Sequence, residues 1–220
     1  MINNRFYRLA NGLGFTFNNA KPDDSVPPER FIIDLLKELS TNLITGERRL
    51  HSLLRTWFSL YSRFLRVDTL TKLSDELEEA ELRILCSLCL IAKEYDSSTR
   101  WSRLTTRLEE RIKRSKIDFV PKDYPKENLD SYLLEYGIRY RAIKFQDERK
   151  FMTLEWLVAH NIWIKNRFIM TVSPRADLVS YFSINGDISS YADIEEKALI
   201  GKSSYYSLVD DVKILTQQVS

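Results

Sequence analysis

The chain is poor in cysteine and glycine, and each shortage narrows the kinds of protein it can be. Two cysteines occur among 220 residues. Cys86 and Cys89 are three positions apart in an apolar run, where a disulfide between them would strain a helix. We therefore expect free thiols, a reducing compartment and a cytoplasmic location. Gly12 and Gly14 lack the full spacing of a phosphate-binding loop.

Metal centres and catalytic sites also lack their usual residues. A zinc site needs about four ligands, and besides the cysteine pair the sequence offers only His51 and His160 as non-carboxylate candidates. Neither histidine has a serine or cysteine nucleophile pattern near it. We expect no metal, no cofactor and no catalytic residue, and hence a protein that is not an enzyme.

Long hydrophobic runs are missing as well. No apolar stretch approaches the roughly 18 residues that span a bilayer, and Met1 is not followed by the charged and apolar regions of a secretory signal. We expect no membrane partner. What is present is an ordinary globular composition, 44% hydrophobic and 29% charged, with a formal net charge of +2.

The apolar residues recur with the period of an α-helix, which predicts an all-α fold with at most one short extended pair. Helices are predicted over residues 28–39, 47–66 and 97–116, with another running from Ser74 or Asp75 to about Tyr95. The centre of that last helix is apolar almost all round. We therefore expect residues 82–92 to form the core of an N-terminal bundle.

The chain is predicted to divide into three parts. Residues 1–116 form the helical bundle, residues 117–150 a linker and connector, and residues 151–220 a C-terminal module. Pro121 and Pro125 stand among charged residues and indicate the linker.

In the connector, Arg139, Arg141 and Lys144 interleave with Tyr140 and Phe145. Such alternation is compatible with a strand or an extended connector. Basic and aromatic side chains in alternation can also bind single-stranded nucleic acid by phosphate pairing and stacking.

One predicted helix carries a stripe of arginines, because its basic residues fall at helical spacing of about 100° per residue. The stripe comprises Arg100, Arg103, Arg107, Arg111 and Arg114. One interpretation is a ladder of guanidinium groups that faces a nucleic-acid backbone. The other is a solvated face whose arginines pair with Glu109, Glu110 or acidic residues within 76–81.

The C-terminal module reads as three short helices. Ser173 can cap the first, with Pro174 at its first position and Asn185-Gly186 at its end. A second helix covers 191–198, and a third begins at Lys202 or Ser203. Two helices joined by a tight turn form the DNA-reading unit of many regulators.

The residues that carry a family resemblance are ADLVSYFSINGDISSYADIEEKALIGKSSYYSLVDDVKIL, about a fifth of the chain. This order resembles the winged helix-turn-helix of bacterial regulators of the multiple-antibiotic-resistance and arsenic-repressor type. The resemblance implies a transcriptional regulator that binds duplex DNA. The helix that starts near Lys202 would lie in the major groove.

The DNA hypothesis names two sets of contacts. Groove-facing residues are expected to be Lys202, Ser203, Ser204, Tyr205 and Ser207. Arg175 and the upstream arginine stripe are expected to hold phosphates. A homodimer or a protein partner is expected to use the helical bundle.

The module also departs from the family pattern. Glu195 stands where the family usually has a small residue, and Leu199 where it usually has the turn glycine, with Gly201 two places later. Too few residues follow Leu215 for a two-stranded wing, so we expect the wing to be absent or vestigial. From Pro174 onward, four basic side chains stand against seven acidic ones, the wrong sign for phosphate binding. The alternative is therefore a protein-protein interaction module with a degenerate helix-turn-helix that no longer binds DNA.

Overall fold

A computed structural model describes residues 4–16, 21–45, 48–112, 127–186 and 190–217. This part of the chain is 73% helical and contains no strand or sheet, which confirms the predicted all-α class. Its α-helices are α1 Asn4–Gly12, α2 Pro28–Thr45, α3 Arg49–Tyr61, α4 Val67–Leu73, α5 Glu79–Tyr95, α6 Arg100–Ile112, α7 Ser131–Glu135, α8 Leu154–His160, α9 Ile162–Met170, α10 Pro174–Asn185, α11 Tyr191–Lys197 and α12 Lys202–Gln217. Short 3-10 helices cover Ser62–Phe64, Ser74–Glu76 and Glu148–Lys150.

The chain divides into two compact units in a way that the sequence did not suggest. The terminal unit consists of Met1–Phe31 together with Arg149–Ser220, and the central unit is Ile32–Glu148. Residues 1–31 therefore belong with the C-terminal helices and not with the expected 1–116 bundle. The expected 117–150 linker falls partly on residues 113–126, which lie outside the described part.

The central unit is organised around α5, which contacts α3, α6 and α7. The helix begins at Glu79, because a capping box forms in which the Glu81 carboxylate accepts a hydrogen bond from the Glu78 backbone N–H at 2.6 Å. The expected caps at residues 74 and 75 instead belong to a separate 3-10 helix. Cys86 and Cys89 are free thiols with no exposed surface, so the expected burial is confirmed, and this burial raises the pKa of both.

The terminal unit joins its N-terminal and C-terminal segments through buried and half-buried polar contacts. Asn161 donates its side-chain amide to the carbonyl of Gly12 at 2.9 Å, and the Trp163 indole donates to the carbonyl of Asp24 at 2.8 Å. The Asp24 carboxylate in turn accepts the backbone N–H of Ile162 at 2.9 Å, at the start of α9. The N-terminal segment thus fixes the place where α8 passes into α9.

A buried arginine completes that junction. Arg167 on α9 lies 2.7 Å from the carboxylate of Glu29 in the first turn of α2 and 2.7 Å from that of Asp177 in the first turn of α10. The three side chains are at most 1% exposed. Because Glu29 and Asp177 each lie in the first turn of a helix, the helix dipoles offset part of the buried negative charge.

Neither a metal-binding cluster nor a membrane span is found in the described part of the chain. No three histidine, cysteine, aspartate or glutamate side chains are grouped there so that they could hold an ion. None of the described helices combines the length and the apolar character that crossing a bilayer requires.

Candidate nucleic-acid interface

The three helices predicted for the C-terminal module form and pack on one another. Helix α10 contacts both α11 and α12, and α11 contacts α12. The caps are serines, since Ser173 accepts from the Ala176 N–H at 3.3 Å and Ser190 from the Asp193 N–H at 3.2 Å. The shared core consists of Trp163, Leu178, Tyr181, Phe182, Ile194, Ala198, Ile200, Tyr205, Val209 and Val212.

The turn between α11 and α12 has the backbone shape for which glycine is suited. Leu199 has a φ of 58°, in the left-handed region, and it stands where the resembled family usually has glycine. A non-glycine residue pays about 1–2 kcal/mol in that region. After the turn, the carbonyl of Gly201 accepts the N–H of Tyr205 at 3.0 Å and starts α12. The turn therefore keeps its geometry in spite of an unfavourable residue.

Helix α12 has a buried inner side and a polar outer side. At about 100° per residue, its residues fall into stripes along the helix. The centre of the exposed side carries Ser203, Ser207, Asp210 and Ile214. One edge of that side carries the exposed residues Lys202, Tyr206 and Lys213. The outer side thus combines hydroxyls, two lysines, an aromatic ring, the central carboxylate of Asp210 and, at the opposite edge, the exposed carboxylate of Asp211.

The residues expected to face a groove do not all do so. Lys202, Ser203 and Ser207 are exposed, and Ser204 is half-buried. Tyr205 is 8% exposed and belongs to the shared core. Its ring packs between helices because it lies on the same side of α12 as the core valines, so it is not part of the outer face.

Arg175, expected to hold a phosphate, lies in the first turn of α10 with its side chain 44% exposed. It forms an ion pair with Asp211 of α12 at 2.8 Å. Exposed ion pairs of this kind contribute only about 0–1 kcal/mol. Arg175 can therefore exchange its carboxylate partner for a phosphate at little cost.

Three tyrosine rings meet where α11 and α12 begin, and of these Tyr205, but not Tyr191 or Tyr206, was predicted from the sequence as a site residue. The Tyr206 ring is 60% exposed and lies 5.0 Å from the Tyr205 ring and 6.2 Å from the Tyr191 ring. Desolvation and a hydrogen bond with Glu195 raise the pKa of Tyr191. Glu195 is exposed, which explains why a large residue is tolerated where the family has a small one. In the sequence, the adjacent tyrosines at 205 and 206 were the feature that could have indicated this cluster.

The arginine stripe lies on α6 in the central unit, and two of its members hold backbone carbonyls of their own unit. Arg100 donates to the carbonyl of Leu65 at 3.2 Å and to the carboxylate of Asp96. Arg111 donates to the carbonyl of Ser74 at 2.8 Å. Leu65 directly follows the 3-10 helix Ser62–Phe64 and Ser74 directly follows α4, and the Ser74 carbonyl also accepts the backbone N–H of Leu77 at 3.1 Å. These two arginines therefore stabilise helix ends.

The remaining members are more exposed. Arg107 lies 3.8 Å from Asp75 with its side chain 55% exposed, and Arg103 is exposed. Arg114 is outside the described residues. The acidic partners that are present, at positions 75 and 96, are not those that the sequence suggested. The stripe is thus a set of separate contacts and not a continuous ladder.

Comparisons of this chain with protein-family models, with curated proteins and with solved structures found no match. The resemblance to winged helix-turn-helix regulators therefore stays a prediction that rests on the three helices α10, α11 and α12 and on the turn at Leu199.

Proposed function

We propose that α10, α11 and α12 form a helix-turn-helix module that binds duplex DNA, with the outer side of α12 in the major groove. The observation that carries the proposal is the pair α11 and α12, joined by residues 198–201 with Leu199 in the left-handed conformation. In helix-turn-helix proteins the first residues of the second helix contact the base edges. Here those residues include exposed serines and a lysine.

Each exposed group has a role that its chemistry suits. The hydroxyls of Ser203 and Ser207 can donate to or accept from base edges. Lys202 stands at the N-terminus of α12, where the helix dipole also favours a phosphate. Arg175 would supply a second phosphate contact after leaving Asp211. Phosphate contacts of this kind fix the position of the protein on the duplex, while the serines would distinguish between base sequences.

The charge of the module limits how tightly it can bind. Four basic residues stand against seven acidic ones from Pro174 onward, but the whole terminal unit carries 12 basic and 11 acidic side chains. We therefore propose modest affinity per module, with the protein binding as a homodimer or with a protein partner, as helix-turn-helix proteins commonly do on paired half-sites. As part of this proposal, we place the protein in the cytoplasm, as expected from the sequence.

The experiment is selection of bound duplexes from a random library, followed by titration of the selected duplex across salt by fluorescence anisotropy. Lys202→Gln should lower the salt slope by about 0.9, the share of one phosphate contact. Ser207→Ala should relax base preference at one position by about 1 kcal/mol. Ser183→Ala is the matched control, because Ser183 is an exposed serine of α10 whose hydroxyl, like that of Ser207, bonds within its own helix. Absence of any selected duplex, or equal effects of the two serine variants, would reject the proposal.

A second candidate is a protein-interaction module. It is favoured by Asp210 at the centre of the outer side and by Tyr206 and Ile214, which are 60% and 59% exposed. Asp210→Asn separates the two candidates. If α12 contacts DNA, removing this charge should strengthen duplex binding roughly fivefold, equivalent to about 1 kcal/mol. Under the interaction candidate no duplex binding is gained.

A further inference from the structure

The connector of the central unit is an irregular extended segment that α3 holds by its side chains. Residues 138–147 contain no helix and no strand, and an isolated bridge joins Arg141 to Leu129. Ser52 donates its hydroxyl to the carbonyl of Lys144, and Thr56 accepts the backbone N–H of Gln146 at 2.8 Å. Polar side chains buried on a helix therefore replace the sheet partner that an extended segment otherwise needs.

A buried ion pair anchors the same segment. Arg55 donates to the carboxylate of Asp130 and, at 3.1 Å, to the carbonyl of Ile143. Asp130 accepts the N–H of Ile143 at 3.0 Å, and its own N–H donates to the carbonyl of Tyr140 at 2.8 Å. Both side chains are at most 3% exposed. The backbone of the connector is thus fixed from both sides of Ile143.

This anchoring turns the basic residues of the connector outward. Ile138, Tyr140 and Ile143 are buried. The exposed residues are Arg139, Arg141, Ala142, Lys144 and Phe145. At about 3.3 Å per residue in an extended chain, the Arg139 and Arg141 side chains leave the backbone about 7 Å apart. No acidic residue occurs from 138 to 146, so the exposed charges of these residues are all positive, and the next carboxylate along the chain is that of Asp147.

A neighbouring cation and an aromatic ring of the connector itself complete the surface. The guanidinium of Arg48, an exposed residue, lies 5.4 Å from the centre of the Tyr140 ring and adds a cation beside the segment. Tyr140 is only 4% exposed, so its ring is not available for stacking. Phe145 is 40% exposed and is the aromatic ring that a base could contact.

We propose that this surface binds single-stranded nucleic acid. Arg48, Arg139, Arg141 and Lys144 contact successive phosphates, and Phe145 stacks on a base. An extended row of cations beside an exposed ring is the arrangement that such binding uses. Because the connector is already fixed by Arg55 and Asp130, little conformational entropy is lost on binding. The site lies in the central unit and does not depend on duplex binding by α12.

The experiment is anisotropy titration of a fluorescein-labelled oligothymidylate of about 15 nucleotides across salt, using the full chain. Arg141→Gln/Lys144→Gln should reduce the salt slope by about 1.4 and weaken binding roughly 20-fold at 0.1 M salt. Phe145→Ala should weaken binding about fivefold and leave the slope unchanged, since stacking releases no counterions. The two signatures separate phosphate contacts from base contacts.

Controls match the charge change and separate this site from the helix-turn-helix. Arg63→Gln/Lys72→Gln removes two exposed cations of the same unit that are not part of residues 138–147 and should leave binding unchanged. Lys202→Gln should also leave oligothymidylate binding unchanged. The proposal is wrong if the two double variants weaken binding equally. It is also wrong if a duplex of the same length binds as tightly while Phe145→Ala has no effect, because the surface would then bind polyanions in general.

Discussion

Among the described residues, the most deeply buried arginine of the terminal unit is Arg167 and that of the central unit is Arg55. The donors of these two arginines are satisfied to different degrees. In the terminal unit, Arg167 directs its Nε and both terminal nitrogens at the carboxylates of Glu29 and Asp177. In the central unit, Arg55 has one carboxylate partner and one carbonyl partner, and its Nε has no partner in the described part of the chain. Both ring nitrogens of the neighbouring His51 are likewise unpartnered there.

The difference follows from what surrounds each arginine. Carboxylates on two helices can be placed to accept hydrogen bonds from all three nitrogens of Arg167. The partners of Arg55 include the backbone of an irregular segment, whose carbonyl directions are set by chain connectivity. Buried donors without acceptors cost about 1–3 kcal/mol each. We infer that the terminal unit uses its buried charges to join the two ends of the chain, whereas the central unit accepts a cost in order to fix its connector.

The largest expected effect comes from Arg167→Met. It leaves the carboxylates of Glu29 and Asp177 buried and facing each other, which should lower the free energy of unfolding by about 4–5 kcal/mol. Urea denaturation followed by circular dichroism measures the loss. Combining the change with Glu29→Gln and Asp177→Asn removes the uncompensated charge and should restore most of the stability. A loss below about 1 kcal/mol for Arg167→Met would show that the cluster does not hold the chain ends together.

Arg55→Met is expected to have a smaller effect, about 3 kcal/mol at pH 7, because it leaves one buried carboxylate unpaired. Burial by itself raises the pKa of Asp130, but hydrogen bonds from Arg55 and from backbone N–H groups outweigh it and hold that pKa below its ordinary value. The stabilisation from Asp130 is therefore present above its ordinary pKa and is lost as pH falls through the lowered pKa.

In Arg55→Met the pKa of Asp130 is expected to shift in the opposite direction. Without Arg55 the pKa of Asp130 rises, so protonation relieves the buried charge and the deficit against wild type should shrink between pH 7 and pH 5, as urea midpoints at both values would reveal. A deficit that is constant with pH would indicate lost packing alone. Oligothymidylate binding should weaken in the same variant, because its connector is no longer fixed.

Local periodicity was enough to predict most helices of both units. The apolar spacing along α2, α3 and α10 reports which side of each helix is buried, and this depends on residues three and four apart. The assembly of the terminal unit was not predictable in this way. It depends on pairs such as Glu29 with Arg167 and Asn161 with Gly12, which are 138 and 149 residues apart.

The arginine stripe shows the same limit at the level of a site. Its helical spacing was correct, but the carbonyls that Arg100 and Arg111 hold belong to other segments and become their partners only through packing. Tyr205 and Tyr206 are adjacent in sequence, yet one is in the core and the other is 60% exposed. A shift of about 100° around the helix decides between these two environments.

His51→Leu tests the cost of the buried polar groups that lack partners in the central unit. Burial, followed by the charge of Arg55, lowers the pKa of His51 from 6.5 to about 3. The unfolded chain therefore takes up a proton first as pH falls, and wild type should lose about 2 kcal/mol between pH 7.5 and pH 5 from this residue. The leucine variant should lack that loss and be up to about 1 kcal/mol more stable at pH 7. If both proteins lose the same stability on acidification, the folded protein accommodates a protonated His51 and the contrast with Arg167 disappears.

The terminal unit has an unfavourable feature of its own, which lies in its backbone. Among the described residues, positive φ at a non-glycine position occurs in the central unit at Asn128, a residue type that tolerates it, and in the terminal unit at Thr171 and Leu199. Leu199→Gly should raise the free energy of unfolding by about 0.5–1 kcal/mol, because relief of the turn exceeds the added freedom of the unfolded chain. Leu208→Gly, which changes a half-buried leucine inside α12, is the matched control and should lower the free energy of unfolding by at least about 1 kcal/mol.

Duplex binding should be unchanged by Leu199→Gly, since the turn already has the required shape. If thermal unfolding shows both glycine variants destabilised alike, the side chain of Leu199 contributes more through packing than its backbone conformation costs, and the turn is not a site of strain.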